Sequence, residues 1–398
     1  MKNVYVVGTC DTKFKELNYM KEEITRAGVN AVLVDVATKG HDNPVDVKNE
    51  EVARHHPTRK NLLQNNDGRG DAVTAMAEAF LHYLKSRNDL GGVISAGGSG
   101  NTALVTKAMR SLPVGLPKMM VSTVAAGNVA PYVGASDIAM MYSVTDIAGI
   151  NKISHTILGN AAHAMAGMVK HEISTFKEDK PSLGITMFGV TTPCVNKLRE
   201  KLEAQYEALV FHATGTGGQS MEKLIDSGMI KHVIDVTITE VADLHMGGVM
   251  SAGEDRMGAI IRNKIPYLGS VGALDMVNFG HIDTVPEHYK NRQLYKHNEQ
   301  VTLMRTTPEE NQKMGKWIAN KLNQMEAPVR FLIPEKGVSM IDVDGQPFHN
   351  PEADQALFDA IRNNVQETEK RKVISLPYAV NDDAFVDALV EHFHALHI

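Results

Sequence analysis

The chain has 398 residues, 43% hydrophobic and 22% charged, with a formal net charge of −6. One ordinary domain runs to ~100–200 residues, so the length points to two, and the apolar content excludes a disordered chain. The slight acidity excludes a global positive field for nucleic acid or anionic membrane, leaving only local basic patches, and two cysteines, Cys10 and Cys194, are too few for a disulfide-stapled secreted protein.

The apolar stretch 4–7 before Gly8 is shorter than the ~7–15 residues of a signal-peptide core, and no run approaches the ~18 of a membrane span. Even the most apolar helix expected, 153–169, is interrupted by Ser154, His155, Asn160 and His163. A cytoplasmic protein with reduced thiols is therefore expected.

Short β-branched runs alternate with stretches of helical periodicity, the pattern of strand, crossover helix and strand in a parallel sheet. The first strand is expected over 4–7. Phe14, Leu17, Met20, Ile24 and Ala27 then repeat at helical spacing, and Gly28 stands where a left-handed cap ends a helix. A second strand is expected over 31–36. The polar segment 38–70 follows, with Arg54, His55, His56, Arg59, Lys60 and Arg69; a connection this long is a solvated surface loop or a phosphate-gripping lid. Helix 71–87, strand 92–96, helix 102–111 and strands 118–121 and 138–141 complete the first core.

A helix over 153–171 leads to Lys177, Glu178, Asp179, Lys180 and Pro181, a charged stretch typical of a linker. The boundary is placed there, giving domains 1–178 and 179–398. The same grammar then restarts with strand 183–187, helix 193–205 and strand 208–212. Gly189, Thr191 and Thr192 after its first strand parallel Gly8, Thr9 and Thr12, as an internal duplication or the α/β grammar alone produces.

The sharpest chemical signal follows strand 92–96, where Gly97, Gly98, Ser99, Gly100, Asn101 and Thr102 lead into a helix beginning near Ala103. A strand ending in glycines and entering a helix exposes N–H groups beside the positive end of the helix dipole, which suits phosphate or carboxylate. Ser99, Asn101 and Thr102 add side-chain donors, or cap the helix. The run is neither a Walker loop nor the full dinucleotide fingerprint. A tight turn alone would explain fewer glycines.

Gly8, Thr9, Cys10, Asp11, Thr12 and Lys13 end the first strand, and ligands in open α/β sheets lie at the carboxyl ends of strands near the switch point. Thr9, Thr12 and Lys13 can donate to phosphate, while Asp11 holds a Mg²⁺ or caps the following helix. Cys10 at a helix N-terminus is a conceivable thiolate nucleophile, though without a visible partner base. The loop after strand 118–121, running through Gly127, completes the same crevice by position.

In the second half, Gly215, Thr216, Gly217, Gly218, Gln219 and Ser220 form a second candidate anion cradle that would hold a substrate with Arg256. Strand 232–236 leads to Glu240, Asp243 and His245, with Asp255 close behind. These are candidates for metal binding or acid–base chemistry, or else a carboxylate-rich helix start. His297, Asn298 and Arg305 flank strand 301–304 and are further candidates at an interdomain interface.

At 8–13, 97–102, 214–220 and 238–257 the chain resembles an uncharacterised bacterial and plant family that includes the N-terminal half of the tomato mosaic virus resistance protein. The resemblance covers nearly the whole chain. It implies two Rossmann-like domains with mainly parallel sheets, binding of ATP with Mg²⁺, and a homodimer; it assigns no reaction. The leading expectation is a nucleotide-binding protein with phosphates on the first-half loops and a second ligand near the interdomain cleft. The alternatives are a metal-assisted enzyme acting on a small carboxylated or phosphorylated metabolite through Glu240, Asp243 and His245, and a nucleotide-gated interaction module.

Overall fold

The computed structural model describes residues 2–59, 62–64, 68–171, 173 and 180–396. Lys60, the linker residues Lys177, Glu178 and Asp179, and the expected boundary at 178/179 lie outside them. The chain forms two compact units, 1–176 and 177–398.

The first unit runs β1 (Asn3–Gly8), α1 (Cys10–Arg26), β2 (Ala31–Asp35), α2 (Asn49–Ala53), α3 (Arg69–Lys85), β3 (Leu90–Gly97), α4 (Ser99–Met109), β4 (Lys118–Ser122), α5 (Ala130–Val133), β5 (Ala139–Tyr142) and α6 (Lys152–Lys170). All five strands are parallel, in the order β2-β1-β3-β4-β5. Strand β1 is buried from Val4 to Gly8 without polar alternation, the mark of a sheet covered on both faces. Val4 and Val6 pack with α1 and α6 through Leu17, Met20, Ile24, Leu158 and Met165, whereas Tyr5 and Val7 face Phe80, Tyr83, Leu104 and Met109 of α3 and α4. Helix α1 ends before Gly28, whose φ of +84° is the expected left-handed cap.

The polar segment after β2 is not a free excursion. Val47 bridges Val34, Asn49 bonds the carbonyls of Ala37 and Lys39, and the His55 ring meets Tyr83 edge-on. His56 accepts the N–H groups of Thr58 and Arg59, so both histidines serve packing and turns.

The second unit runs β6 (Ser182–Met187), α7 (Thr192–Leu202), β7 (Glu207–His212), α8 (Thr216–Asp226), β8 (His232–Thr237), α9 (Glu240–Met246), α10 (Gly258–Asn263), β9 (Tyr267–Gly272), β10 (Met276–Phe279), β11 (Leu294–Asn298), β12 (Val301–Arg305), α11 (Pro308–Gln324), β13 (Val329–Pro334), α12 (Pro351–Asn364), β14 (Arg371–Leu376) and α13 (Asp383–Ala395). Six strands form a parallel sheet in the order β14-β13-β9-β8-β6-β7. Helices α7 and α13 cover one face through Cys194, Leu198, Phe385 and Phe393; α8 to α12 cover the other.

Both units are thus α/β and Rossmann-like, and the order of the first five strands of each sheet is the same. In each, the chain reverses direction beside the first strand, at β1/β3 and at β6/β8. What periodicity did not announce is the antiparallel sheet β10-β12-β11, inserted between β9 and β13.

Candidate functional site

At the reversal in the first unit, the turns after β1, β3 and β4 leave one edge of the sheet, because their strands pair in parallel. Helix α4 begins at Ser99, earlier than expected, since Ser99 and Gly100 are already helical. Its N-cap is Gly98 and no side chain caps it. Ser99 and Gly100 are exposed, so their N–H groups, at the positive end of the helix, open toward solvent.

Asn101 and Thr102 are buried and work inward instead. Asn101 Nδ2 donates to Ser95 Oγ at 2.9 Å and to the Ala96 carbonyl at 3.1 Å, and Thr102 Oγ1 lies 2.6 Å from Ser122 Oγ and 2.8 Å from the Gly98 carbonyl. The expectation that one of them caps α4 is corrected. They brace the turn that presents Ser99 and Gly100. The glycine at 97 is required by close approach: a Cβ there would stand 2.7 Å from Asn101 Cβ. The β4 turn is tied to the same place by the Thr123 N–H on the Gly97 carbonyl at 3.3 Å, while Gly127 lies exposed further along it.

In the β1 turn the N-cap of α1 is Thr9, again without a side-chain cap, so the capping role considered for Asp11 falls away. Asp11 is half-buried and, among the described residues, accepts only the Thr12 hydroxyl at 3.3 Å. Thr9 and Thr12 hydroxyls lie 3.3 Å apart. Lys13 donates to the Ile147 carbonyl and, among the described residues, has no carboxylate partner. Its backbone departs from helical geometry at φ −122°, ψ 16°.

Asp35, at the end of β2, was missed. Its Oδ1 accepts the N–H groups of Cys10 and Ala37, both at 2.9 Å, and its Oδ2 meets His41 Nε2 at 2.8 Å. Asp35 therefore fixes the β1 turn and is not free for a ribose hydroxyl, as the acidic residue of a dinucleotide site is. It also settles Cys10: the thiol is fully buried, and burial followed by the neighbouring Asp35 pushes it far above its usual range, so no thiolate nucleophile forms. His41 is no general base either, because its Nδ1 accepts the Asn43 N–H while Nε2 serves Asp35.

The second cradle is turned inward. Gly215 (φ +85°) and Gly218 donate their N–H groups to Glu240 Oε1 at 2.8 and 3.1 Å, so the protein's own carboxylate fills the anion position. Gly217 packs against the His212 backbone, Gln219 bonds the Ala252 carbonyl, and Ser220 bonds Thr216. Of these residues, Thr216 and Gln219 are exposed. Arg256, expected to hold a substrate, is 2% exposed and spends its guanidinium on Glu240 (2.8 Å), Glu222 (3.1 Å) and Asp235 (2.7 Å). Burial opposes its charge, and the three carboxylates outweigh that and hold it protonated. Burial pushes Glu240 and Glu222 up, with Arg256 pulling the other way.

The expected catalytic group does not converge. Glu240 and Asp243 are both buried one turn apart on α9, but Asp243 clamps a different segment, accepting Met250 N at 2.6 Å and Asn278 N at 2.8 Å. Burial raises its carboxyl to about 7. His245 is exposed against the Trp317 ring, and Asp255 is exposed on Arg262. Among the described residues no group of three His, Cys, Asp or Glu is placed to hold a metal ion. Arg305 is buried at 3% exposure, and His297 and Asn298 are exposed in β11. Among the described residues no helix is long and apolar enough to cross a membrane.

Two family models match the chain. One, described as the N-terminal domain of the uncharacterised protein family UPF0261, covers residues 2–174, and one described as its C-terminal domain covers 180–397. A UPF0261 protein of Rhizobium meliloti is 52% identical over 390 residues, 98% of each chain. The ToMV resistance protein Tm-1 of Solanum lycopersicum is 43% identical over 415 residues, covering 98% of this chain and 55% of the tomato protein. Among solved structures, a UDP-GlcNAc 2-epimerase of Methanocaldococcus jannaschii covers 99% of this chain at a TM-score of 0.22 and 8% identity, a likeness too loose to bear on function.

Proposed function

The chain belongs to the uncharacterised UPF0261 family, the family its motifs resemble, and from that premise we propose that its first unit holds a nucleotide, ATP with Mg²⁺, by the phosphates. One observation carries the reading. At the strand-order reversal, where open α/β sheets take ligands, α4 presents the uncapped N–H groups of Ser99 and Gly100, and the turn after the adjacent strand β1 carries Lys13, which has no carboxylate partner among the described residues. The second unit supplies the comparison: there the same kind of glycine turn is filled by Glu240, which is what such a turn attracts.

A polyphosphate would accept from Ser99 and Gly100 N–H, from the Thr9 and Thr12 hydroxyls, and from Lys13. Charge-assisted hydrogen bonds of ~1.5–3 kcal/mol each make micromolar affinity attainable, about 8 kcal/mol. Mg²⁺ is commonly held by one or two carboxylates plus phosphate oxygens and water. Asp11, half-buried and lightly engaged, fits as that single protein ligand. Adenine and the homodimer rest on the family resemblance. No reaction is assigned, and the virus resistance in the tomato protein's name is not transferred.

Isothermal calorimetry with ATP and Mg²⁺ tests the reading, with light scattering for the dimer. Micromolar to sub-millimolar binding at one site per chain is expected. If neither ATP nor another nucleoside triphosphate binds at millimolar concentration, the reading fails.

A further inference from the structure

We propose that loop 335–350 of the second unit is a lid, held over that unit's own strand-order reversal by a proton shared among the buried carboxyls of Asp275, Asp342 and Asp354. The lid joins β13 to α12 and crosses the C-terminal edge of the sheet. Its Met340 N–H bonds the Val190 carbonyl in the turn after β6 at 2.9 Å, and its Val338 carbonyl accepts the Ala273 N–H after β9 at 2.9 Å. Beneath it lies the edge where a ligand of an open α/β sheet enters.

The fastening is a cluster around one cation. Arg305, at the end of β12, donates to Asp342 Oδ1 at 2.9 Å and Asp354 Oδ1 at 2.6 Å, and to the lid carbonyls of Phe348 (2.7 Å) and Asn350 (3.3 Å). Ser339 of the lid donates to Asp275 Oδ2 at 2.8 Å, and Val338 N–H to Asp342 Oδ2 at 2.9 Å. Asp275 and Asp342 are 0% exposed, and Asp275 Oδ1 is buried without any hydrogen-bond partner.

Three carboxylates against one guanidinium would leave a buried excess of two negative charges. The other titratable group facing the cluster is His349 on the lid, whose Nδ1 lies 3.0 Å from the Asp342 carbonyl oxygen and whose Nε2 lies 3.8 Å from the exposed Asp344. It neutralises little. Like charges about 4 Å apart repel by roughly 4 kcal/mol near a protein surface and more inside, so the cluster retains a proton at neutral pH.

Burial, then the neighbouring carboxylates, raise Asp342 to about 9, and burial raises Asp275 to about 6. An acid raised in the folded state binds its proton more tightly there than when unfolded. The lid is therefore most secure at low pH and loses its hold as pH rises through about 9. With the proton gone, Asp342 is repelled by Asp275 and Asp354, and the lid segment that carries it separates from β9 and β12.

Hydrogen exchange of the full chain, corrected for the intrinsic pH dependence, tests this between pH 7 and pH 10. In the wild type, protection of 336–350 is expected to fall about tenfold or more relative to α13, while Asp354→Asn, whose oxygen still accepts from Arg305 and whose amide N–H takes the place of the shared proton toward Asp342, keeps it. Flat protection in the wild type, or an equal fall in D354N, overturns the proposal. Should D354N not fold, carbon-13 carboxyl titration of the wild type decides. One buried aspartate titrating above pH 8 supports the lid, and titration of all three below pH 5 contradicts it.

Discussion

The N–H of Gly215 donates to Glu240 Oε1 across 2.8 Å, and that bond closes a glycine turn which on sequence alone looks ready for a ligand. At the counterpart, Ser99 and Gly100, no side-chain acceptor is found among the described residues. Two loops of similar composition therefore have opposite fates, decided by whether a carboxylate elsewhere in the chain reaches the helix N-terminus.

Glu240→Ala removes the acceptor of two backbone N–H groups and one arm of Arg256. Breaking a buried, hydrogen-bonded charge network costs about 3–5 kcal/mol. Urea denaturation of E240A is expected to show a loss of that size, with ATP affinity changed little wherever the chain is folded. Unaltered stability would mean that Glu240 is not structural.

Lys13→Met tests the opposite turn. Lys13 donates only to the Ile147 carbonyl and pairs with no carboxylate among the described residues, so its loss barely affects folding. Losing one charge-assisted bond of ~1.5–3 kcal/mol weakens Mg-ATP binding about 10–100-fold. Calorimetry beside a thermal melt separates the two effects, and unchanged affinity would remove Lys13 from the site.

Two glycines three residues apart are expected to respond with opposite sign. A Cβ at Gly97 meets Asn101 Cβ and Nδ2, both at 2.7 Å, so Gly97→Ala forces apart the brace of the turn at about 1–3 kcal/mol. A Cβ at Gly100 would meet nothing within 4 Å beyond its own turn of helix, and Gly100→Ala on the exposed first turn stabilises by up to ~1 kcal/mol through helix propensity. Denaturation midpoints of both variants read the contrast.

Asp243 sets a pH dependence. Burial raises its carboxyl from the usual 3.8 to about 7, so the folded state holds a proton that the unfolded state has released. Its contribution is favourable below about 4 and is lost as pH rises toward 7. Relative to the wild type, Asp243→Asn is expected to show a flatter stability profile between pH 4 and pH 7. A slope equal to that of the wild type would contradict the burial argument.

The first parallel strand was legible because residues 4–7 are apolar without alternation, the mark of a sheet covered on both faces, and 183–187 and 232–236 were legible as short β-branched runs between helical stretches. Local signals placed Gly28 and the glycine turns for the same reason: each is decided within a few residues. What escaped was decided at a distance. Asp35 reaches the Cys10 N–H from the next strand, 25 positions on, and Arg256 gathers Glu222, Asp235 and Glu240 from three separate elements. The antiparallel sheet β10-β12-β11 was missed because its strands are only four or five residues long, β11 is largely polar, and β10 pairs with β12 across a long intervening segment. Glu240, Asp243 and His245 looked catalytic because proximity along the chain says nothing about where each side chain turns.

The central claim is that the open N-terminus of α4 takes phosphate, and amide chemical shifts during titration with Mg-ATP test it most directly. The largest perturbations are predicted at Ser99 and Gly100, followed by Thr9 to Lys13, with Gly215 and Gly218 unmoved. Saturable binding that leaves Ser99 and Gly100 unshifted would contradict the account.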